Sequence, residues 1–212
     1  MDVAIIDYGM SNLHSVKAAC DYVGLKSIIT SDENQIMEAK MAMLPGVGAF
    51  GQAMKHLNNS GMTDCIKNFV ASEKPFIGIC LGLQLLFEES EEFGANEGLG
   101  LISGRVRKFN TFKDDKYYYP VPQIGWNNIK QNEQGWEKTP LKNNFDDDFM
   151  YFVHSYFVVP SDKSIVISKT VYGENNYCSA IKYNNIFATQ FHPEKSGPTG
   201  IKIYKELKSM VK

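Results

Sequence analysis

The sequence lacks the features by which membrane and nucleic-acid-binding proteins are recognised. None of its apolar runs approaches membrane-spanning length, and a formal net charge of −2 gives no indication of a basic surface for nucleic acid. Residues 1–7 have no basic segment ahead of their apolar stretch, so they predict a first β-strand and not a signal peptide. We therefore expect neither a membrane nor a nucleic acid among the partners of the chain.

Cysteine is scarce, and its spacing excludes two common uses. The four cysteines are Cys20, Cys65, Cys80 and Cys178, and no two of them form a C-x-x-C pair. Neither a zinc site nor a thioredoxin-type redox motif is therefore indicated. Cys20 and Cys65 fall in helical patterns and Cys178 in a strand, so we expect these three to be small buried hydrophobic residues. The pattern is typical of a reduced, cytoplasmic protein.

Internal repeats and linkers are also absent from the sequence. A length of 212 residues suits one domain with a substantial core, and the hydrophobic share of 43% and the charged share of 22% are ordinary for a globular protein. We expect residues 1–212 to form a single domain.

Strand and helix patterns alternate along the first half of the chain. Residues 3–6 predict a strand, and apolar residues at helical spacing over 13–23 predict a helix that Gly24 ends. Ser11 or Asn12 is expected to cap that helix. The other patterns predict strands at 25–30, 41–44 and 76–79, and helices at 32–40, 50–57, 62–72 and 83–89. This alternation favours a parallel sheet covered by helices on both faces.

Strand patterns dominate the second half, and one helix pattern returns at the end. The strand runs lie at 104–109, 123–130, 149–159, 165–171, 177–183 and 186–191. We expect them to add antiparallel strands to the parallel sheet. The predicted fold class is therefore α/β, with three αβα layers around a mainly parallel central sheet, and it is flavodoxin-like. The C-terminal helix is predicted to present one apolar face, formed by Ile201, Tyr204, Leu207 and Val211.

Two polar segments, 111–116 and 131–148, predict exposed loops. The second contains Asp146, Asp147 and Asp148, whose carboxylates have no spaced partners that would indicate a metal site. We expect these carboxylates to be solvated.

Residues 76–84 carry the strongest chemical signal in the chain. The apolar run 76–79 predicts a buried strand, and Gly78 and Gly82 flank Cys80 in a G-x-C-x-G pattern. This pattern is a version of the strand–turn–helix elbow that lifts a nucleophile out of a sheet and directs backbone N–H groups at a developing oxyanion. The following helix N-terminus favours a thiolate at Cys80.

A second motif, residues 191–194, supplies the groups that a catalytic thiolate needs. His192 is the expected proton carrier, and Glu194 is the expected carboxylate that orients its imidazole. A lone cysteine after an apolar run is usually core packing, and a lone histidine is usually structural. The combination of all three at two strand ends predicts a catalytic triad of Cys80, His192 and Glu194.

These motifs resemble those of the triad, or class I, glutamine amidotransferases. In that family a G-x-C-x-G elbow holds the nucleophile, and an H-P-E segment near the C-terminus completes the triad. The resemblance covers essentially the whole chain and is carried by residues 5–13, 44–50, 78–87, 124–127, 151–156 and 190–196. It implies hydrolysis of L-glutamine to glutamate and ammonia through a cysteinyl thioester, with no metal or organic cofactor.

The resemblance also implies roles for residues outside the triad. The Leu81 N–H would supply one oxyanion donor, and the peptides of Gly46, Val47 and Gly48 resemble the family's oxyanion strand. Three further residues match the substrate pocket, namely Gln84, Ser155 and Tyr156. Another four match the surface that docks a partner, namely Trp126, Asn127, His154 and Lys195. Within the family the chain is similar to subunits that form a heterodimer with a (β/α)8 cyclase and pass it ammonia in histidine biosynthesis.

Plainer alternatives remain for several of these residues. Residues 45–48 are equally typical of a tight strand-to-helix turn, and Gln84 of a solvated helix position. His154 and Trp126 suit a core, and Lys195 suits a solvated surface. At the level of function, the same chemistry would also serve a cyclase-like paralogue in surface-sugar biosynthesis, or the chain would be an inactive scaffold. Gln123 stands where the family often has histidine, which leaves the identity of the partner open.

Overall fold

The structure is a computed structural model and describes residues 1–10, 12–113 and 118–211. The helices in these residues are α1 (Leu13–Val23), α2 (Glu33–Glu38), α3 (Phe50–Asn59), α4 (Met62–Ala71), α5 (Leu81–Leu85) and α6 (Gly197–Ser209). The strands of the first half are β1 (Val3–Ile6), β2 (Ser27–Thr30), β3 (Met41–Gly46), β4 (Phe76–Cys80), β5 (Phe87–Ser90), β6 (Asn96–Glu97) and β7 (Ile102–Lys108). The later strands are β8 (Phe112–Lys113), β9 (Tyr118–Tyr119), β10 (Gln123–Asn128), β11 (Lys130–Gln131), β12 (Phe149–His154), β13 (Tyr156–Pro160), β14 (Val166–Tyr172), β15 (Asn175–Tyr183) and β16 (Ile186–Thr189).

The central sheet has the strand order β11-β14-β15-β16-β4-β3-β1-β2. The pairings from β16 through β4, β3 and β1 to β2 are parallel, whereas those that join β15, β14 and β11 are antiparallel. The predicted α/β fold with antiparallel additions is confirmed. Further small sheets are β13-β7-β5-β6, β10-β12 and β8-β9.

The central strands are apolar on both sides because both faces of the sheet are covered. Successive side chains of a strand point to opposite faces, so Ile6 packs in one hydrophobic cluster with Phe50 and Phe69. Its neighbour Ile5 packs in a second cluster with Tyr204. Each face thus has its own core, one under α3 and α4 and the other under α1 and α6. No helix in the described part of the chain is long and apolar enough to span a membrane.

Three adjacent parallel strands end at the same edge of the sheet. β3 and β4 are in register at their ends, where Gly46 pairs with Cys80, and β16 pairs with β4 on its other side up to Thr189 and Ile79. The residues that follow β16 lead directly into the segment that contains His192. The topology therefore brings the glycine-rich turn, the cysteine and the histidine to one place, as expected for ligand sites in open parallel sheets.

The prediction of a helix over residues 83–89 is wrong. The helix α5 ends at Leu85, and Phe87 begins strand β5. Phe87 and Ser90 are buried and the residues between them are exposed, because β5 pairs with β7 instead of continuing the helix. The single strand predicted over 149–159 is likewise divided at Ser155, since β12 and β13 join different sheets.

The segment 131–148, predicted as an exposed loop, is partly interior. Trp136 is 3% exposed and Leu141 is fully buried, and the indole Nε1–H of Trp136 donates to the Ile167 carbonyl at 2.8 Å. Asp148 is also more than a solvated carboxylate, because its Oδ2 accepts the Phe145 N–H at 3.1 Å. Asp146 similarly accepts the Gln131 N–H at 2.6 Å. The contacts of Trp136 and Asp146 join residues distant in sequence and have no periodic signature.

Two expectations about local structure also need correction. Asn12 precedes α1, but its side chain makes no capping hydrogen bond, and the alternative cap, Ser11, lies outside the described residues. The predicted loop 111–116 contains the short strand β8 and then extends beyond the described residues. Val211 lies past the end of α6, yet it is 6% exposed and belongs to the same core as Tyr204.

Candidate active site

Cys80 stands at a sharp junction between β4 and α5. Its backbone has φ 55° and ψ −109°, a conformation that a residue with a side chain adopts only at a cost. Gly82 is needed for the turn, because a Cβ there would collide with the Leu44 carbonyl oxygen. The predicted strand–turn–helix elbow is therefore present, and it leaves Cys80 5% exposed at the carboxyl edge of the sheet.

His192 and Glu194 form a buried pair. The ring Nδ1 lies 2.7 Å from Glu194 Oε1, and the two side chains are 2% and 1% exposed. The 3-10 turn Pro193–Lys195 brings the carboxylate back onto the ring. The His192 backbone N–H donates to the Tyr151 carbonyl at 2.9 Å, which holds the segment against β12. The other ring nitrogen, Nε2, is buried and makes no hydrogen bond of ordinary length among the described atoms.

Cys80 and His192 are electrostatically coupled. Burial of the ring by itself opposes protonation of His192, but the negative charge of Cys80, followed by the hydrogen bond and charge of Glu194, raises the pKa of His192 to about 10. A negative charge at close range favours the charged form of an imidazole. The arrangement therefore suits a thiolate beside an imidazolium, with the carboxylate behind the ring.

A cavity of about 380 Å³ opens beside Cys80. Much of its wall consists of residues that the sequence predicted for the site, namely Val47, Gly48, Cys80, Leu81, Gln84, His154, Ser155, Tyr156 and Lys195. Gly46 lies directly behind this wall as the register partner of Cys80. Trp126 and Asn127 are not part of the cavity lining.

Residues 4–207 match the family model described as glutamine amidotransferase class-I. The chain belongs to the class I glutamine amidotransferases. Two close relatives are named "Imidazole glycerol phosphate synthase subunit HisH". The protein from Sulfurimonas denitrificans is 46% identical over 95% of this chain and 94% of the relative. The protein from Aquifex aeolicus is 44% identical over 98% of this chain and 96% of the relative.

Solved structures share the fold at low sequence identity. One described as a glutamine amidotransferase superposes with a TM-score of 0.72 at 15% identity, and covers 99% of this chain and 100% of its own. PurLQS from Thermotoga maritima gives a TM-score of 0.72 at 18% identity, with coverage of 100% of this chain and 99% of the matched chain. At these identities the likeness establishes the amidotransferase fold alone.

The glycine-rich turn of this amidotransferase is held beside the elbow. A Cβ at Gly46 would lie 2.9 Å from the Leu81 Cβ and 2.5 Å from the Tyr8 hydroxyl, and Gly48 has φ 98°. Both positions therefore require glycine. The Val47 N–H donates to the Met10 carbonyl at 3.3 Å, so in this structure it is engaged elsewhere and not directed at a ligand of Cys80.

Gln84 is interior, so the alternative of a solvated helix residue is wrong. It is 5% exposed, and its Nε2 donates to the Tyr156 carbonyl at 2.9 Å and to Gln190 Oε1 at 3.1 Å. Both amide hydrogens are thus used internally, which leaves the side-chain oxygen for a ligand. The amide Nε2 of Gln190 in turn donates to Cys80 Sγ at 3.7 Å.

Sequence reasoning missed two residues of the site, Gln190 and Glu92. Gln190 is fully buried immediately after β16, and its place next to the H-P-E segment was the available signal. Glu92 lines the cavity and its Oε2 accepts the Phe50 N–H at 2.6 Å, at the start of α3. Burial raises the pKa of Glu92. Glu92 was hidden because it lies beyond both the predicted helix 83–89 and the strand β5, in a polar stretch that carries no motif.

An apolar face lies on the ribbon formed by β10 and β12. Ile124 pairs with Val153 and Trp126 with Tyr151, and directly paired residues share one face of an antiparallel pair. Trp126 is 55% exposed, so its interpretation as a core residue is wrong. Its ring meets that of Tyr151 edge-on at 6.1 Å. Lys195 Nζ lies 5.9 Å from the centre of the Tyr151 ring, on the side of the cavity.

His154 and Gln123 face inward from the same ribbon. His154 is 6% exposed, its Nδ1 lies 2.8 Å from the Tyr156 carbonyl, and burial lowers its pKa to about 3. Gln123 is 3% exposed and accepts the Tyr177 hydroxyl at 3.0 Å. The side chain of Gln123, expected near the docking face, is therefore interior. His154 matches the alternative of a satisfied core histidine.

Proposed function

We propose that the chain is the glutaminase subunit of an imidazole glycerol phosphate synthase. The observation that carries the proposal is the buried set of Cys80, His192 and Glu194 beside an open cavity. The relatives that bear the name of this subunit match the chain over almost their whole length. With all three reactive groups in place, an active enzyme is favoured over an inactive scaffold.

The first half-reaction removes ammonia from L-glutamine. The Cys80 thiolate attacks the side-chain amide carbon, so that a C–S bond forms and the carbonyl electron pair becomes an oxyanion. The imidazolium of His192 donates its Nε2 proton to the amide nitrogen. The C–N bond then breaks, ammonia leaves, and a γ-glutamyl thioester remains on Cys80.

The second half-reaction restores the enzyme. Neutral His192 takes a proton from water, and the hydroxide oxygen attacks the thioester carbon. Collapse of the tetrahedral intermediate breaks the C–S bond, releases glutamate and leaves a thiolate beside an imidazolium. Throughout both steps Glu194 holds Nδ1–H and so keeps Nε2 directed at the substrate.

The cavity offers groups suited to the rest of the substrate. The free oxygen of Gln84 accepts N–H groups, and the Glu92 carboxylate suits the α-ammonium group of an amino acid. Ser155 and Tyr156, both half-buried, also line the cavity. A pocket with one carboxylate and one amide acceptor suits an amino acid whose side chain ends in an amide.

Two sets of backbone donors are proposed for the oxyanion. The Leu81 N–H belongs to the first turn of α5, where backbone N–H groups have no partner within the helix. The second donor would come from Gly46, Val47 and Gly48, but the Val47 N–H first has to leave the Met10 carbonyl. Glycine on both sides permits that rotation. Loss of one such donor typically costs on the order of a hundredfold in rate, so the isolated chain should be a poor glutaminase.

The ammonia requires a receiving partner, because free ammonia is largely protonated at neutral pH and escapes. We propose a (β/α)8 cyclase subunit that docks on the apolar ribbon face, with contacts at Trp126 and Lys195. Ile124 is 65% exposed on the same face and extends this surface.

Asn127 pairs with the buried Met150, so it lies on the opposite face of the ribbon, where its Nδ2 donates to the Val171 carbonyl at 2.9 Å. His154 would support the ribbon from inside and not touch the partner.

The test is a glutaminase assay with and without the partner. Glutamate release is measured for the chain alone, with the cyclase subunit, and with the cyclase and its nucleotide ligand. We expect slow release alone, strong activation in the complex and no release by Cys80→Ala in any condition. Fast release by the isolated chain would contradict the proposed control by the partner. Activation by a sugar-pathway paralogue, but not by the cyclase, would assign the chain to that pathway.

A further inference from the structure

Gln190 is the buried group nearest the nucleophile for which the triad chemistry gives no role. Its amide bridges two residues, since Oε1 accepts Gln84 Nε2 at 3.1 Å and Nε2 donates to Cys80 Sγ at 3.7 Å. The side chain is fully buried. Solvent therefore does not compete for either contact.

The direction of this hydrogen-bond chain is set by the backbone. The Tyr156 carbonyl can only accept, so the Gln84 amide must turn its NH₂ group towards it, as observed at 2.9 Å. The second hydrogen of that NH₂ group then faces Gln190 and requires an acceptor there. The carbonyl oxygen of Gln190 is the group that satisfies this requirement, which leaves its own NH₂ group directed at Cys80. The Tyr156 carbonyl on β13 thus determines that Cys80 Sγ faces the NH₂ group of Gln190 and not its oxygen.

We propose that Gln190 is a thiolate-stabilising donor, oriented through Gln84 by the Tyr156 carbonyl. Hydrogen bonds to the charged form of a group favour that form, and bonds to ionised partners are stronger than neutral ones. The inference deepens the proposed glutaminase function, and rests on it for the role of Cys80 as nucleophile.

Gln190 and His192 act on the sulfur in different ways. The stabilisation by His192 depends on its proton, which it must give up to the departing ammonia. An amide does not titrate, so the donor from Gln190 is present in every protonation state of His192. The thiolate is therefore stabilised by two groups. His192 transfers its proton during the reaction, whereas Gln190 keeps its hydrogen.

The experiment measures thiolate formation directly. The isolated chain is alkylated with iodoacetamide across a pH series, and modification of Cys80 is quantified by mass spectrometry. The other three thiols are buried, and burial raises the pKa of Cys20 to about 12, of Cys65 to about 11 and of Cys178 to about 12, so they react far less. Cys80→Ala provides the blank.

Gln190→Met keeps the volume and removes the donor. We expect the midpoint of the Cys80 alkylation profile to move up by about one pH unit, as for the loss of a hydrogen bond to a charged group. Gln84→Met, which removes the group that orients the Gln190 amide, should give a smaller shift in the same direction. The matched control is Gln123→Met, a buried glutamine that contacts Tyr177 and not the sulfur; its profile should stay at the native midpoint.

An unchanged midpoint in folded Gln190→Met would overturn the proposal. If that variant does not fold, an unchanged midpoint in Gln84→Met has the same force. An equal shift in Gln123→Met would assign the effect to general loosening of the core and would also overturn it. Because the readout uses neither glutamine nor a partner, its failure is distinguishable from failure of the glutaminase function, which the glutamate assay tests separately.

Discussion

Gly46 and Cys80 are register partners at the ends of two adjacent parallel strands. A glycine that cannot accept a Cβ therefore stands directly beside a cysteine with positive φ. The close approach of the two backbones places the peptides of the glycine-rich turn within reach of chemistry at the sulfur. This pairing positions the site, and the backbone strain at Cys80 can be measured as a difference in the free energy of unfolding.

The first prediction concerns backbone strain at Cys80. Cys80→Gly and Cys80→Ala both remove the sulfur, but only glycine relaxes the positive φ of 55°. We expect the glycine variant to have the higher free energy of unfolding, by about 1 kcal/mol. Denaturant titration of the two variants gives the difference. Equal stabilities would show that the elbow is not strained.

The second prediction concerns Glu194 and pH. The pKa of His192 is raised in the folded protein to about 10 from an ordinary value of 6.5, so its protonation stabilises the fold fully below pH 6.5. That contribution is lost as pH rises towards 10. Glu194→Gln removes one of the charges that raise the pKa of His192. The variant should therefore have a lower free energy of unfolding than the native chain at pH 6.5, and the difference should become smaller as pH rises towards 10. Denaturant titrations at pH 6 and pH 9.5 test this, and an unchanged difference would contradict it.

The same substitution should impair catalysis more than substrate binding. An amide at position 194 preserves shape but no longer stabilises an imidazolium. We expect kcat of the glutaminase complex to fall by roughly a hundredfold or more, with KM for glutamine little changed. Steady-state kinetics of the partner complex separate the two constants. A change confined to KM would mean that Glu194 serves the substrate and not the ring.

The third prediction concerns His154. Burial lowers the pKa of this ring to about 3 in the folded chain, whereas it is about 6.5 when unfolded. Between these values the unfolded chain binds the extra proton, so the free energy of unfolding falls as pH decreases from 6.5 towards 3. His154→Gln should weaken this acid sensitivity, although it costs some stability at pH 7. Denaturation at pH 7 and pH 4.5 compares the slopes, and equal slopes would exclude His154 as the cause.

The fourth prediction concerns the ribbon face. Trp126 is 55% exposed, so Trp126→Ala should leave the stability of the isolated chain nearly unchanged. Binding to the cyclase subunit should weaken by about tenfold or more, as for an aromatic anchor at an interface. Titration calorimetry measures the affinity. Tyr22→Ala, at a residue that is 77% exposed on α1, is the matched control and should bind normally; an equal loss in both variants would argue against docking on the ribbon.

The residues of the proposed triad could be picked out in the sequence because their signals are local. Gly78 and Gly82 on either side of Cys80 indicate a sharp backbone turn. His192 and Glu194 are only two residues apart. The same holds for the parallel strands, whose apolar runs reflect cover on both faces. By contrast, Glu92 and Gln190 contact partners distant in sequence, and neither residue type is diagnostic alone.

The fold class, the elbow and the three side chains of the proposed triad follow from residue type and short spacing, because these dictate backbone turns and burial. Three features became visible only in the folded chain: residues 83–89 divide between helix and strand, Trp126 is exposed while His154 is interior, and an amide donor faces the sulfur. These features depend on which strands pair with each other. They also depend on the hydrogen bond that the Tyr156 carbonyl accepts from the Gln84 amide. Packing between segments that are distant in sequence determines these features, so no local sequence pattern predicts them.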